Sequence, residues 1–148
     1  MMAVVQHSNR LGSPGGNRQR LHIEIPSTVE SLADARRALE TLKAGRRALN
    51  DAKLLLTELL TNSIKHSGLR AGDPIEIDAR CRNNVLRVDV HDRSRAPANA
   101  KFAGTIRPDP GAESGWGLFI IQRIASRWGN RPGHYWFEVP LNASKRSA

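Results

Sequence analysis

Two runs alternate apolar and polar residues, Ile75-Glu76-Ile77-Asp78-Ala79 and Val85-Leu86-Arg87-Val88-Asp89-Val90, and they connect through Arg82-Asn83-Asn84. Alternation with period two marks a strand with one face buried, and so short a connection allows a hairpin but no crossover helix. The chain must therefore build a sheet with antiparallel pairing. A third alternating run, Leu21-His22-Ile23-Glu24-Ile25, is closed by Pro26, and His134-Tyr135-Trp136-Phe137-Glu138-Val139-Pro140 reads as a last strand. Helical periodicity lies between them. Val29, Leu32, Ala35, Leu39 and Leu42 recur every three to four residues, with Ser27 or Thr28 available as a cap and Gly45 as a stop. A stronger helix is predicted from Leu49 to Ser67, with Asn50 as its cap and Gly68 at its end, and a third from about Trp116 to Trp128. These elements predict an α/β (α+β) two-layer sandwich, a mixed sheet with antiparallel pairs covered on one face by helices.

At 148 residues and 39% hydrophobic content the chain fits one domain with a real core. We expect a disordered basic arm over 1–20, the folded domain over 21–141 and a polar tail over 142–148. No apolar run approaches the roughly 20 residues of a spanning helix, and the N-terminus has no signal-peptide stretch. The expectation is a cytoplasmic protein with no membrane contact. The single cysteine, Cys81, rules out an internal disulfide framework or a cysteine-rich zinc site and fits a small buried hydrophobe. The net charge of +9 has its excess in the first 20 residues, which hold Arg10, Arg18 and Arg20 and no acid, and beyond residue 75. A polyanionic partner would suit it. With no dense Lys/Arg block interleaved with aromatics, nucleic acid is disfavoured, and an acidic protein or a nucleotide explains the charge as well.

Three short patterns can carry chemistry. In Leu56-Thr57-Glu58-Leu59-Leu60-Thr61-Asn62-Ser63-Ile64-Lys65-His66, helical geometry puts Leu56, Leu59, Leu60 and Ile64 on one arc and stacks Glu58 and Asn62 one turn apart on the other. A carboxylate beside an amide oxygen suits magnesium, or the orientation of a hydroxyl near phosphate. In Val88-Asp89-Val90-His91-Asp92, the strand ends in Asp92, placed to accept a hydrogen bond from a ligand amino group. Before the third helix, Gly115-Trp116-Gly117-Leu118 lets backbone N–H groups approach phosphate oxygens. Each has a plain counterpart: a solvated helix face, a turn-initiating aspartate, a flexible connection. The long segment between Asp92 and Gly115 is rich in Pro, Gly and Ala, and so long a loop in a small domain is functional or disordered.

Taken in this order, the three patterns resemble the N box and the two glycine boxes of the GHKL (Bergerat-fold) ATPases. The likeness covers roughly 21–140. The short form with Glu58-Leu59-Leu60-Thr61-Asn62-Ser63-Ile64-Lys65-His66 and a Gly115-Trp116-Gly117-Leu118 ending is similar to anti-sigma factor serine/threonine kinases of actinobacterial type.

The resemblance implies an ATP pocket between helices and sheet. It makes Asn62 the Mg2+ ligand, Glu58 the catalytic base and Asp92 the acceptor of the adenine amino group. Gly115, Gly117 and Leu118 form the phosphate loop, and Lys65 and His66 reach the phosphates or simply serve as helix C-terminal cations. It implies a protein kinase that sequesters a sigma factor and phosphorylates an anti-anti-sigma factor; a homodimer is possible, although no heptad predicts one. One departure stands out: Asp92-Arg93-Ser94 replaces the usual Asp-x-Gly. Glycine there lets the backbone pass close to adenine, so Ser94 also leaves open a non-catalytic Bergerat-fold module that sequesters its partner with weak or no ATP binding.

Overall fold

A computed structural model describes residues 4–8, 18–66, 68–93 and 116–141. The elements run β1 (Val4–Ser8), β2 (Gln19–Pro26), α1 (Ser31–Leu39), α2 (Arg46–His66), β3 (Pro74–Arg82), β4 (Val85–His91), α3 (Trp116–Ile124), β5 (Arg127–Arg131) and β6 (His134–Pro140). The strands form a six-stranded sheet in the order β1-β2-β3-β4-β6-β5. The α/β two-layer expectation holds, with one refinement: the sheet expected to be mixed is antiparallel at every pairing among the described strands.

Strand alternation builds the core. Ile23, Ile77, Val90 and Tyr135 lie side by side across four strands, and Leu21, Ala79, Val88 and Phe137 form the next such row. All eight are buried, and the helices close over them with Ala35, Leu39, Leu55, Leu56, Leu59, Leu60 and Ile121. Each large aliphatic or aromatic side chain removed from water in this way contributes about 1.5–3 kcal/mol. Cys81 lies in this layer as expected of a small hydrophobe, and burial pushes its thiol pKa up, which keeps it protonated and unreactive. Between β3 and β4 both turn residues, Asn83 and Asn84, have positive φ (52° and 61°). That is the paired left-handed conformation of a two-residue hairpin turn, which asparagine tolerates well.

Several boundaries differ from the sequence expectation. Val4–Ser8, inside the stretch expected to be a disordered arm, pairs in register with residues 20–24, and β2 begins at Gln19. The first helix begins at Ser31 and stops at Leu39, and the chain then tightens, Thr41 and Leu42 donating to carbonyls three residues back. Ser27 is no cap: its hydroxyl donates to the Arg70 carbonyl at 2.6 Å and ties the end of β2 to the loop before β3. Thr28 is no cap either: the N-cap position is Glu30, without a side-chain cap bond, and the Thr28 carbonyl accepts from the Ser31 N–H in the turn that leads into the helix. Gly45 (φ +81°) precedes α2, which starts at Arg46, so Asn50 is interior to the helix and does not cap it.

The third helix ends at Ile124 instead of Trp128. Ser126 turns away, its N–H and hydroxyl both donating to the Glu138 carbonyl, and Arg127–Arg131 becomes a strand. The reason sits at Gly129: a Cβ there would lie 2.6 Å from Trp136 Nε1, so the glycine is the socket that lets the indole lie across the sheet. Among the described residues no helix is long and apolar enough to cross a membrane.

Candidate functional site

α2 is helical because Ala48, Leu49, Ala52, Leu55, Leu56, Leu59 and Leu60 recur on one face among strong helix formers, with no β-branched run to oppose it. This face packs on β4 and β6, and the helix also meets α1 and α3. Lys53 adds a 3.0 Å ion pair to Glu40, at the end of α1. Glu58 and Asn62 are both half-buried, as are Asp51, Lys53, Thr57 and Thr61 on the same helix. Lys65 is exposed, and His66 is the last helical residue, its side chain outside the described set.

Asp92 follows the last residue of β4 and is half-buried. Its N–H donates to the Gly133 carbonyl at 2.9 Å, which extends the β4–β6 pairing by one bond. Gly133 has φ +73°, and a Cβ there would come within 2.7 Å of the Asp92 carbonyl oxygen. Glycine at 133 is thus what allows the β5–β6 turn to close against Asp92 and fix where its backbone ends. Of the second glycine pattern, Gly117 and Leu118 fall in the first turn of α3, and Gly115, like Ser94, lies outside the described residues. The structure thus brings the Glu58–Asn62 helix against both the strand that delivers Asp92 and the helix that opens at Gly117. A groove of about 530 Å3 between α1 and α2, lined by Arg36, Arg37, Glu40, Lys53 and Thr57 among others, includes none of these residues.

Sequence reasoning passed over the other face of the sheet. Arg87 holds Asp89 in a fork, Nε donating to Oδ2 and Nη2 to Oδ1, both at 2.9 Å, while Nη1 reaches Glu138 at 3.4 Å. His134 Nε2 lies 2.8 Å from Asp89 Oδ1, and the His91 ring stacks on His134 with centroids 4.3 Å apart. The Arg87 guanidinium also lies over the Trp136 ring, 4.1 Å from its centroid. Burial acts to raise the Asp89 pKa, but the hydrogen bonds and charge of Arg87 and His134 outweigh it and hold the carboxyl below the usual aspartate range. Arg87 is correspondingly raised by its hydrogen bond to Asp89, against desolvation. Nearby, Arg80, Arg82, Arg87 and Arg127 line a groove of about 330 Å3 with Glu138. The signal was available: Asp89 and His91 are two apart on an alternating strand, so they share a face. What the sequence lacked was the β4–β6 register that sets His134 opposite His91.

Residues 25–131 match the family model of the histidine kinase-like ATPase domain, well over half of the chain, and this span includes every site residue expected from the sequence. No curated protein matches the chain at a significant level.

Proposed function

The chain belongs to the histidine kinase-like ATPase family, and from that membership we propose that it binds ATP and acts as an anti-sigma factor and protein serine/threonine kinase whose substrate is an anti-anti-sigma factor. The observation that carries the reading is Asp92, half-buried and tied to Gly133 at the end of β4, with the Glu58–Asn62 helix packed against that same strand. In this role Asp92 accepts a hydrogen bond from the adenine amino group, and the donor suits it, since an ionised carboxylate only accepts. Glu58 orients the attacking serine or threonine hydroxyl and takes its proton. Lys65 and His66, at the end of α2, are the residues that this reading assigns to the phosphates. The first-turn backbone N–H groups of α3 at Gly117 and Leu118, with Gly115 before them, offer donors and a favourable helix field to phosphate oxygens.

The donor set also fits a magnesium ion: an amide oxygen on Asn62 and a carboxylate on Glu58 are hard oxygen ligands, half-buried and one turn apart. Asn62 would hold the ion, which when bound supplies neutralising charge between phosphates. The net charge of +9 favours acidic protein partners, and the sigma factor and its antagonist are the partners proposed, in the cytoplasm.

Calorimetric titration with Mg-ATP tests this directly, with Asp92→Ala and Asn62→Ala beside the parent chain. Asp92→Ala should weaken binding by more than about tenfold, the loss of one hydrogen bond to a group left buried. Asn62→Ala should abolish the dependence on magnesium. No heat at millimolar ATP from the folded parent would overturn the kinase reading and leave a partner-sequestering module on a nucleotide-binding fold.

A further inference from the structure

We propose that Asp89, His91 and His134, on the face of the sheet away from the helices, bind a first-row divalent transition-metal ion, with Zn2+ the best match. Asp89 and His91 alternate on β4 and so project to the same side, and His134 is the direct cross-strand partner of His91 on β6. One ligand atom from each residue falls within 4.8 Å of the other two. His134 Nε2 is already 2.8 Å from Asp89 Oδ1, and the two imidazoles are nearly parallel, 8° apart. Ligands on one zinc ion at 2.0–2.1 Å stand about 3.3 Å from one another, so closure needs rotation of side-chain torsions and no movement of backbone. The backbone itself is held on both sides, β4 being paired to β3 and to β6 along its full length.

Donor chemistry sets the ion class. Two imidazole nitrogens and one carboxylate oxygen suit Zn2+, Co2+, Ni2+ or Fe2+, whereas Mg2+ prefers oxygen alone and keeps its waters. Three protein ligands leave at least one coordination position for water or an external group. The Arg87 fork supplies the outer support such a site needs: its Nε bond to Asp89 Oδ2 and its Nη2 bond to Oδ1 fix the carboxylate plane, and Oδ1, which keeps a further lone pair, also faces His134 Nε2 at 2.8 Å. Arg87 already balances the Asp89 charge, so the fold does not require two histidines to do so. The site lies across the sheet from the proposed ATP pocket, behind Val88 and Val90, and does not depend on that reading.

The test uses the full chain without a histidine tag, stripped with EDTA and without nucleotide, titrated with Co2+ and then Zn2+. The expected result is saturable binding of about one ion per chain, with Co2+ d–d absorption bands that Zn2+ abolishes. His91→Ala and His134→Ala should each weaken Zn2+ binding by more than about tenfold. His22→Ala, which alters a histidine on the same face that contacts Asp78, should leave binding unchanged. His91→Gln and His134→Gln, compared by circular dichroism with the parent, replace either alanine variant that does not fold. Absence of saturable binding, full binding in both His91 and His134 variants, or displacement of Co2+ by millimolar Mg2+ would each overturn the proposal.

Discussion

On the helix-facing side of the sheet Leu21, Ala79, Val88 and Phe137 form one cross-strand row. One residue away along the same strands, Arg20, Arg80, Arg87 and Glu138 form the next row on the opposite side. The same backbone thus carries two surfaces with different physics. The first is held by removal of apolar area from water, which is additive and indifferent to direction. The second is held by Arg87, Asp89, His134 and Glu138, whose value depends on charge state, geometry and the presence of every partner. Stability should therefore be lost steeply and independently of pH on one side, and modestly and with pH on the other.

Phe137→Ala is the strongest way to sharpen that contrast. Phe137 is fully buried, and truncation removes its transfer free energy and leaves a cavity beneath α2. Urea unfolding should show a loss of about 3–5 kcal/mol at pH 7. A loss below about 1 kcal/mol would mean that the helix layer is not what stabilises the sheet.

Asp89→Asn comes next, measured with EDTA present. It keeps the shape but removes the charge that Arg87 and His134 bind, and should cost about 2 kcal/mol at neutral pH. The folded-state pKa of Asp89 is depressed, so its stabilisation is complete above the ordinary aspartate value and is lost as pH falls through the folded value. The stability gap between parent and Asp89→Asn should accordingly shrink as pH drops below about 4. A gap that stays constant to pH 2 would show that Asp89 acts through packing and not through its charge.

The two faces also differed in how far the sequence disclosed them. Alternation in 75–79 and 85–90 identified the hairpin, and leucine periodicity identified α2, because burial on one side leaves a period that a single chain displays. β5 was missed because Arg127-Trp128-Gly129-Asn130-Arg131 has no alternation and contains a glycine that reads as a breaker; its role as a socket for Trp136 exists only once β6 lies beside it. β1 was missed because a polar context with Gly, Ser and Pro hid its five residues, and an edge strand needs only a partner with free backbone groups. Of the site, Glu58, Asn62 and Asp92 were singled out by the order of three patterns that resembles the family's boxes, since local spacing alone gave each of them a plain structural counterpart. The Asp89–His91–His134 cluster was not legible, since cross-strand register is a property of two segments 45 residues apart.

The smallest expected effect probes how far the polar side depends on its inner members alone. Arg127 reaches the same row from β5, with its guanidinium 5.9 Å from the Trp136 ring centroid and 3.9 Å from Glu138 Oε2, but its side chain is 72% exposed. Water screens both contacts, and the long side chain loses rotamer freedom in making them. Arg127→Ala should therefore change stability by no more than about 0.5 kcal/mol and leave the pH dependence of the parent intact. Arg87 alone then couples Asp89, Glu138 and Trp136, as its shorter contacts of 2.9 Å to Asp89 and 4.1 Å to the indole imply. Should Arg127→Ala instead cost as much as Asp89→Asn, the arginines would act as one cooperative row across β3 to β5. Stability measured in low and high salt would separate the two cases, because a contribution from the exposed Arg127–Glu138 pair is lost with screening while the more buried Arg87–Asp89 fork is screened much less.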